Sequence, residues 1–409
     1  MSGPRIGLVC GQFDPAYDGV ADYTCQLARH LRSTPFEPLI CTAHAYAQSA
    51  DDAVIGVTDR WSVGGVVRAA QAMAKLRLDL VHVQFAPSAF GFRRAVGLLP
   101  RFAPTGTPVL ATLHEYGVWA ANGVAGRLRS TAWSAVEHRG FAERETLLLS
   151  LWAARLMVTA PEHKRVLNTR LPGHALAAVH VPIGANIAVA RLDREHARAA
   201  VGRRLALAAD DLLAVFFGFL HPEKGLERLI EAVAQVRRVH PRLRLVLAGG
   251  IESHSVRGGT AVALRRELED VARRHGVEED VIFTGYLPEQ EISHLLLAAD
   301  TAVYPFNAGV TAKSGSLLAA LAHGVPTVAT SPPGVVTRPT EIEGVLRVPP
   351  RDTIALTQAM RLVLSDGALA DRLARNGRAC AEGRTWPDIA ATHARIYAEV
   401  LEGDNRRVR

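Results

Sequence analysis

The sequence predicts an α/β protein built from two doubly wound domains, and three observations predict it. At 409 residues the chain is too long for one ordinary core and suits two domains of roughly 150 to 200 residues each. Short β-branched or leucine-rich runs recur with helix-length amphipathic segments between them, the rhythm of a parallel sheet covered by helices on both faces. A polar stretch rich in arginine and alanine, Ala188 to Asp211, interrupts that rhythm, which then begins again.

In chain order, the predicted strands of the first half are Arg5 to Gly11, Glu37 to Ala43, Leu78 to Phe85, Thr107 to His114, Leu156 to Ala160 and Ala177 to Ile183. The second half offers Leu212 to Leu220, Leu243 to Gly250, Asp280 to Leu287, Thr301 to Phe306 and Val325 to Thr330, with helices such as Gly225 to His240 and Ala261 to Gly276 between them. The expected organisation is residues 1–188, residues 189–385 and a last helix over 386–409, opened by Trp386, that crosses back to the first domain. Ligands of open α/β sheets lie beyond the carboxyl ends of the strands, so the strand-to-helix loops facing a cleft between the domains are where chemistry is expected.

Composition narrows the class. With 48% apolar and 21% charged residues, the chain is that of a soluble globular protein. The four cysteines form no CxxC pair and no metal pattern with histidine, which fits a reducing cytoplasm. The N-terminal apolar run is too short for a signal peptide, and no later run reaches the length of a membrane span. A formal charge of +7 favours anionic partners, but the basic residues are scattered without interleaved aromatics, which argues against nucleic acid. Phosphate-bearing small molecules are expected, with peripheral contact at the inner membrane face as a compatible addition. The arginine- and alanine-rich usage suits a high-GC bacterial genome.

Two stretches carry the chemistry. In FFGFLHPEKGLERLIEA a glycine ends a strand and Lys224-Gly225 opens a helix, bringing a flexible cation beside a helix N-terminus as a diphosphate requires; a solvated loop lysine is the alternative. In PFNAGVTAKSGSLLAALAHGVPTVAT small hydrogen-bonding residues open a helix directly after a buried strand, which leaves unpaired N–H groups for an anion. His82 and Gln84, at a strand end, and Tyr116, beyond the next strand, are the acceptor candidates, with a local hydrogen bond as the competing role for His82. Glu137 to Glu145 reads as a helix face with i,i+4 charge pairs. Gly126 to Leu156 reads either as core or as a basic amphipathic docking surface.

The blocks GFLHPEKGLERLIEA, LRLVLAGG, VIFTGYLPEQEISHLLLAADTAVYPF and GSLLAALAHGVPTVAT together resemble the retaining, nucleotide-sugar-dependent glycosyltransferases of the group-1, or family-4, type. YDGVADYTCQLARHL, LDLVHVQF, LATLHEY and VHVPIGANI resemble that family more loosely. The resemblance implies a GT-B fold, two Rossmann-like domains facing each other, and a hexosyltransferase moving a sugar from a nucleoside diphosphate to a hydroxyl or amine of a small-molecule, glycan or lipid-linked acceptor. It implies Lys224 at the donor diphosphate, Gly285, Tyr286 and Leu287 at the base, and Ser316 and Leu317 offering N–H groups to phosphate. Gly19 would leave room for the phosphate, and His114 would lie near the transferred sugar, the alternative being a hydrogen-bonded core histidine. No cofactor or metal is required in this reading, since the inter-strand loops lack an Asp-x-Asp pair; a UDP-sugar is the family-level expectation for the donor.

Three departures stand out. Phe219 replaces an arginine common in the family, Thr311 and Ala319 replace two glutamates, and Asp18 stands where the first of two glycines often lies. Each lost charged hydrogen bond is worth roughly 1.5 to 3 kcal/mol, enough to alter donor preference. Lys313 is a candidate replacement for the arginine and Thr311 a candidate hydrogen-bonding partner for the sugar; a solvated side chain and a turn residue are their respective alternatives. The rival functions are a non-catalytic GT-B partner protein and a nucleotide-sugar epimerase or phosphorylase-like enzyme on the same fold.

Overall fold

The computed structural model describes residues 3–15, 18–47, 53–117, 132–172, 178–251, 258–311 and 314–407. The chain forms two compact units, one of Met1–Ile183 with Trp386–Arg409 and one of Gly184–Thr385.

In the first unit seven parallel strands stand in the order β3-β2-β1-β4-β5-β6-β7. They are β1 (Arg5–Val9), β2 (Glu37–Ala43), β3 (Val54–Thr58), β4 (Leu80–Phe85), β5 (Val109–Leu113), β6 (Arg155–Val158) and β7 (Val179–His180). Strands β4 and β5 are buried along their whole length, as the unbroken apolar runs require. β3 was not among the expected strands: its glycine-interrupted VIGVT is short and lies beyond a polar segment. The expected strand over 177–183 contracts to the two residues of β7.

Helix α1 (Gly19–Leu31) begins at Asp18, whose carboxylate accepts the N–H groups of Val20 and Ala21 at 2.9 and 2.8 Å. The residue that departs from the family pattern is thus an N-cap here. Helices α2 (Val63–Lys75) and α3 (Pro161–Arg170) follow.

The second unit repeats the plan with one variation, its strands running β10-β9-β8-β11-β12-β14-β13. These are β8 (Leu212–Phe217), β9 (Leu243–Ala248), β10 (Val281–Gly285), β11 (Thr301–Tyr304), β12 (Thr327–Thr330), β13 (Thr340–Ile342) and β14 (Val345–Val348). The antiparallel pair β13–β14 lay outside the expected set, because a hairpin on the sheet edge carries no helix and so breaks the alternation that revealed the others. The polar stretch before β8 folds as α4 (Arg194–Leu205), held at its start by Arg194 and Arg198 on Asp300, 2.6 and 2.9 Å away. Then come α5 (Leu226–Arg237), α6 (Gly259–Arg274), α7 (Glu289–Ala298), α8 (Gly315–Ala322), α9 (Thr353–Ser365) and α10 (Gly367–Ala381).

The last helix, α11 (Trp386–Arg407), belongs to the first unit. Trp386, Ile389, Ala390, His393, Ile396 and Tyr397 are buried, a stripe at helical spacing. Trp386 meets Tyr23 of α1 edge-on at 5.0 Å, and Tyr397 meets Phe36 at 5.5 Å.

Candidate functional site

In the second unit the carboxyl ends of β8, β9 and β10 finish in glycines whose backbones touch. Gly218 N–H donates to Ala248 C=O at 2.9 Å, and Gly249 N–H to Gly285 C=O at 3.0 Å. Gly249 has φ 147°, and a Cβ there would overlap the Gly218 carbonyl, so no other residue fits. From Gly218 the chain enters a single 3-10 turn, Pro222–Lys224, and then α5. Asn307, just past β11, staples that turn in place: its Nδ2 donates to Pro222 C=O at 3.0 Å, its N–H to Glu223 C=O at 2.9 Å, and its Oδ1 accepts from Arg228 at 2.7 Å.

This staple holds Lys224 over Phe306, its Nζ 3.6 Å from the ring centroid, a cation–π contact. The lysine is half-buried and pairs with no carboxylate among the described residues. Burial pulls its pKa down to about 8, because removing an ammonium from water penalises the charged form. An anion brought to it would stabilise that charge.

The same strand end supports the start of α8. Tyr304 donates its hydroxyl to Ser316 C=O at 2.7 Å. Ser314 is the N-cap, accepting Leu317 N–H at 3.2 Å and lying 3.1 Å from the Ser316 hydroxyl. The Leu317 N–H, expected at the phosphate, is donated to the Ser314 hydroxyl in this structure. The N–H groups of Gly315 and Ser316 have no acceptor among the described residues. A Cβ on Gly218 would lie 3.6 Å from Ser316 Oγ, so the end of β8 and the first turn of α8 are neighbours.

Of the other donor candidates, Gly285 closes β10, Tyr286 is 69% exposed and Leu287 is buried. Thr311 is exposed and its carbonyl accepts Ser314 N–H at 3.2 Å, a turn role. Ala319 is fully buried in α8. Lys313 lies outside the described residues. Phe306, Asn307 and Ser314 were not singled out from the sequence; the signal was the PFN that follows β11.

In the first unit, Gly19 opens α1 with open space where a Cβ would stand, so there is room for a ligand there, though a side chain would meet no protein atom. His82, Gln84 and His114 come together at the ends of β4 and β5. His82 Nδ1 lies 2.7 Å from the Tyr397 hydroxyl and 3.2 Å from Gln84 Nε2, and its Nε2 lies 2.8 Å from Thr112 Oγ1. His114 Nε2 lies 2.9 Å from Gln84 Oε1, and Tyr23 packs edge-on at 4.5 Å. Burial, then His393 and His114, hold the His82 pKa well below the ordinary value.

His82 and Gln84 have no exposed surface and Tyr116 is 5% exposed. All three are core residues in this structure, and His114, at 7%, is buried with them. Tyr116 instead lies against Arg170, its ring centroid 5.1 Å from the guanidinium carbon.

The Glu137 to Glu145 stretch is not a solvated helix face. Glu143 and Glu145 are buried and share Arg170 of α3, at 3.0 and 2.6 Å. Glu143 also accepts from Thr146 N–H and Oγ1 at 2.8 Å each, and Glu145 from Gly117 N–H at 3.0 Å. Burial raises the Glu143 carboxyl above its ordinary range despite these partners. Carboxylates enter a core when a cation from another element meets them, a pairing that no local spacing announces. Of the expected docking surface, residues 126–131 lie outside the described residues, while Phe141 and Trp152 are exposed. No helix among the described residues is long and apolar enough to cross a membrane.

Comparison with known proteins adds three findings. Residues 200–379 match the family described as glycosyl transferases group 1. A glycogen synthase of Mycobacterium tuberculosis is 32% identical over 196 residues, covering 47% of this chain and 44% of that protein. A D-inositol 3-phosphate glycosyltransferase of Streptomyces avermitilis is 29% identical over 215 residues, covering 52% of this chain and 45% of that protein. The chain spans just under half the length of these curated relatives. Among solved structures, sucrose-phosphate synthase from Thermosynechococcus elongatus superposes with a TM-score of 0.72 at 21% identity, covering 98% of this chain and 100% of that one. Anabaena HepE, crystallised with UDP and glucose, gives a TM-score of 0.69 at 18% identity, covering 97% and 100%. These structural likenesses establish the fold as GT-B.

Proposed function

Because the second unit is a group 1 glycosyl transferase domain on a GT-B fold, we propose that the protein is a retaining glycosyltransferase that moves a hexose-type sugar from a nucleoside diphosphate to a hydroxyl or amine acceptor. The observation that carries this reading is Lys224, a cation without a described carboxylate partner, held over Phe306. It shares the end of β11 with the first turn of α8, where aligned N–H groups favour an anion.

In this proposal Lys224 Nζ and the N–H groups of Gly315 and Ser316 stabilise charge developing on the leaving diphosphate, the main chemical contribution. Gly285, Tyr286 and Leu287 border the base. His114 is the sugar-side residue of the first unit. With Thr311 and Ala319 in place of carboxylates, this chain presents no nucleophile at those positions, which suits attack on the face the diphosphate leaves. A UDP-sugar is the expected donor, as UDP is the nucleotide crystallised with HepE.

The same two replacements favour a second reading, a non-catalytic GT-B partner that binds no nucleotide. A thermal-shift panel of UDP-, GDP-, dTDP- and ADP-glucose separates the two. A rise in melting temperature with at least one, abolished in Lys224→Ala, supports the transferase; no rise with any of them favours the partner protein.

A further inference from the structure

The hydrogen-bonded chain beneath His114 has a direction. It begins at Met157 of β6, whose thioether sulfur only accepts, 3.9 Å from Thr112 Oγ1. With its proton toward sulfur, the Thr112 hydroxyl accepts from His82 Nε2–H at 2.8 Å. A neutral imidazole with a proton on Nε2 has a lone pair on Nδ1, and two donors face that lone pair: the Tyr397 hydroxyl at 2.7 Å and the Gln84 amide nitrogen at 3.2 Å. His82 is neutral because it is fully buried beside His393 and His114, and burial keeps Tyr397 protonated as a donor. With its nitrogen committed to His82, Gln84 turns its oxygen to His114 Nε2 at 2.9 Å. An amide oxygen only accepts, so that nitrogen carries a proton.

We propose that the series Met157, Thr112, His82 and Gln84 fixes His114 as the Nε2–H tautomer, with the ring lone pair on Nδ1. Thr112, His82 and Gln84 are then positioning residues for His114, and Tyr397 of the last helix supports them. The tautomer assignment stands on these distances; its value to the reaction rests on the sugar-side role given to His114 above.

The test is a long-range ¹H–¹⁵N spectrum of the imidazoles of the full-length protein above neutral pH, with the His114 signals identified by their absence in His114→Gln. The wild type should show His114 as Nε2–H; an Nδ1–H or doubly protonated ring overturns the proposal without need of any variant. Thr112→Val removes the acceptor for His82 Nε2–H while leaving His114 and Gln84 in place, and it should bring the Nδ1–H form of His114 into view. Adding Gln84→Glu, whose carboxylate oxygens only accept, should restore Nε2–H. Thr112→Val that folds and leaves the His114 tautomer unchanged also overturns the proposal. For UDP-glucose turnover, Thr112→Val should lower kcat at least about tenfold with little change in KM, and Gln84→Glu should recover part of it. Normal tautomer behaviour with no turnover and no nucleotide binding would sink the transferase reading and leave the relay standing.

Discussion

Both sheets place their first five strands in the same order, yet they finish those strands with opposite chemistry. In the second unit β8, β9 and β10 end in Gly218, Gly249 and Gly285, which strip side chains away and expose backbone beside one desolvated lysine. In the first unit β4 carries His82 within it and Gln84 near its end, and His114 follows β5; these three fill the space with paired polar side chains. One plan yields a bare cradle suited to a charged guest and a filled network suited to orienting a single ring. The first unit also buries a second polar cluster on Arg170. The asymmetry teaches that the fold sets where chemistry sits, while side-chain volume at the strand ends sets its kind.

Breaking the filled side should have the largest effect. Arg170→Ala removes the guanidinium that the buried Glu143 and Glu145 share and should destabilise the first unit by about 3 to 5 kcal/mol. Separate thermal or denaturant transitions for the two units would show the second unit unmoved.

Acid sharpens the same contrast. His393 is fully buried, and burial lowers its pKa from 6.5 to about 4. Above pH 6.5 both folded and unfolded forms are neutral and its contribution to stability is complete. As pH falls from there toward 4, the unfolded chain takes up a proton that the folded chain refuses, and roughly 3 kcal/mol is lost. Denaturant titrations across that window should show this slope in the wild type and a flatter one in His393→Leu.

Lys224 is the smallest of the three perturbations in stability and acts in the opposite sense. Lys224→Met should stabilise the free protein by about 1 to 2 kcal/mol, allowing for partial exposure, while weakening nucleotide diphosphate binding about ten- to a hundredfold. Because the lysine titrates near 8, wild-type affinity for UDP should begin to fall above that pH, approaching tenfold per pH unit, whereas the variant should show no such limb. Calorimetric titration at several pH values checks both parts.

Much of this was legible in the chain. Unbroken apolar runs announced β1, β2, β4, β5, β8, β9 and β11, since strands covered on both faces have no solvent side to show. The lysine and the serine-rich start of α8 could be singled out as a candidate anion site, because both features are local in sequence. What was not legible depends on partners far away. Glu143 and Glu145 look like solvated charges until Arg170 arrives from α3, and His82 looks like a strand-end ligand until Tyr397 closes over it from a helix 315 positions later. Edge strands β3 and β13, and β14 beside the second of them, escaped for a different reason: each is short and none lies between two amphipathic helices. That the Leu317 N–H is donated to Ser314 Oγ was equally hidden, since it depends on the local turn geometry.

The return of Trp386–Arg407 to the first unit bears on the order in which a ribosome can finish this protein. Domains usually mature from the N-terminus as they emerge. Here Gly184–Thr385 has all its parts before Trp386 is made, whereas the first unit keeps Tyr23, Phe36 and His82 without their α11 neighbours until Tyr397 is delivered. The half that emerges first is thus the last to be sealed, and during that interval its unfinished apolar face is the one a chaperone would meet.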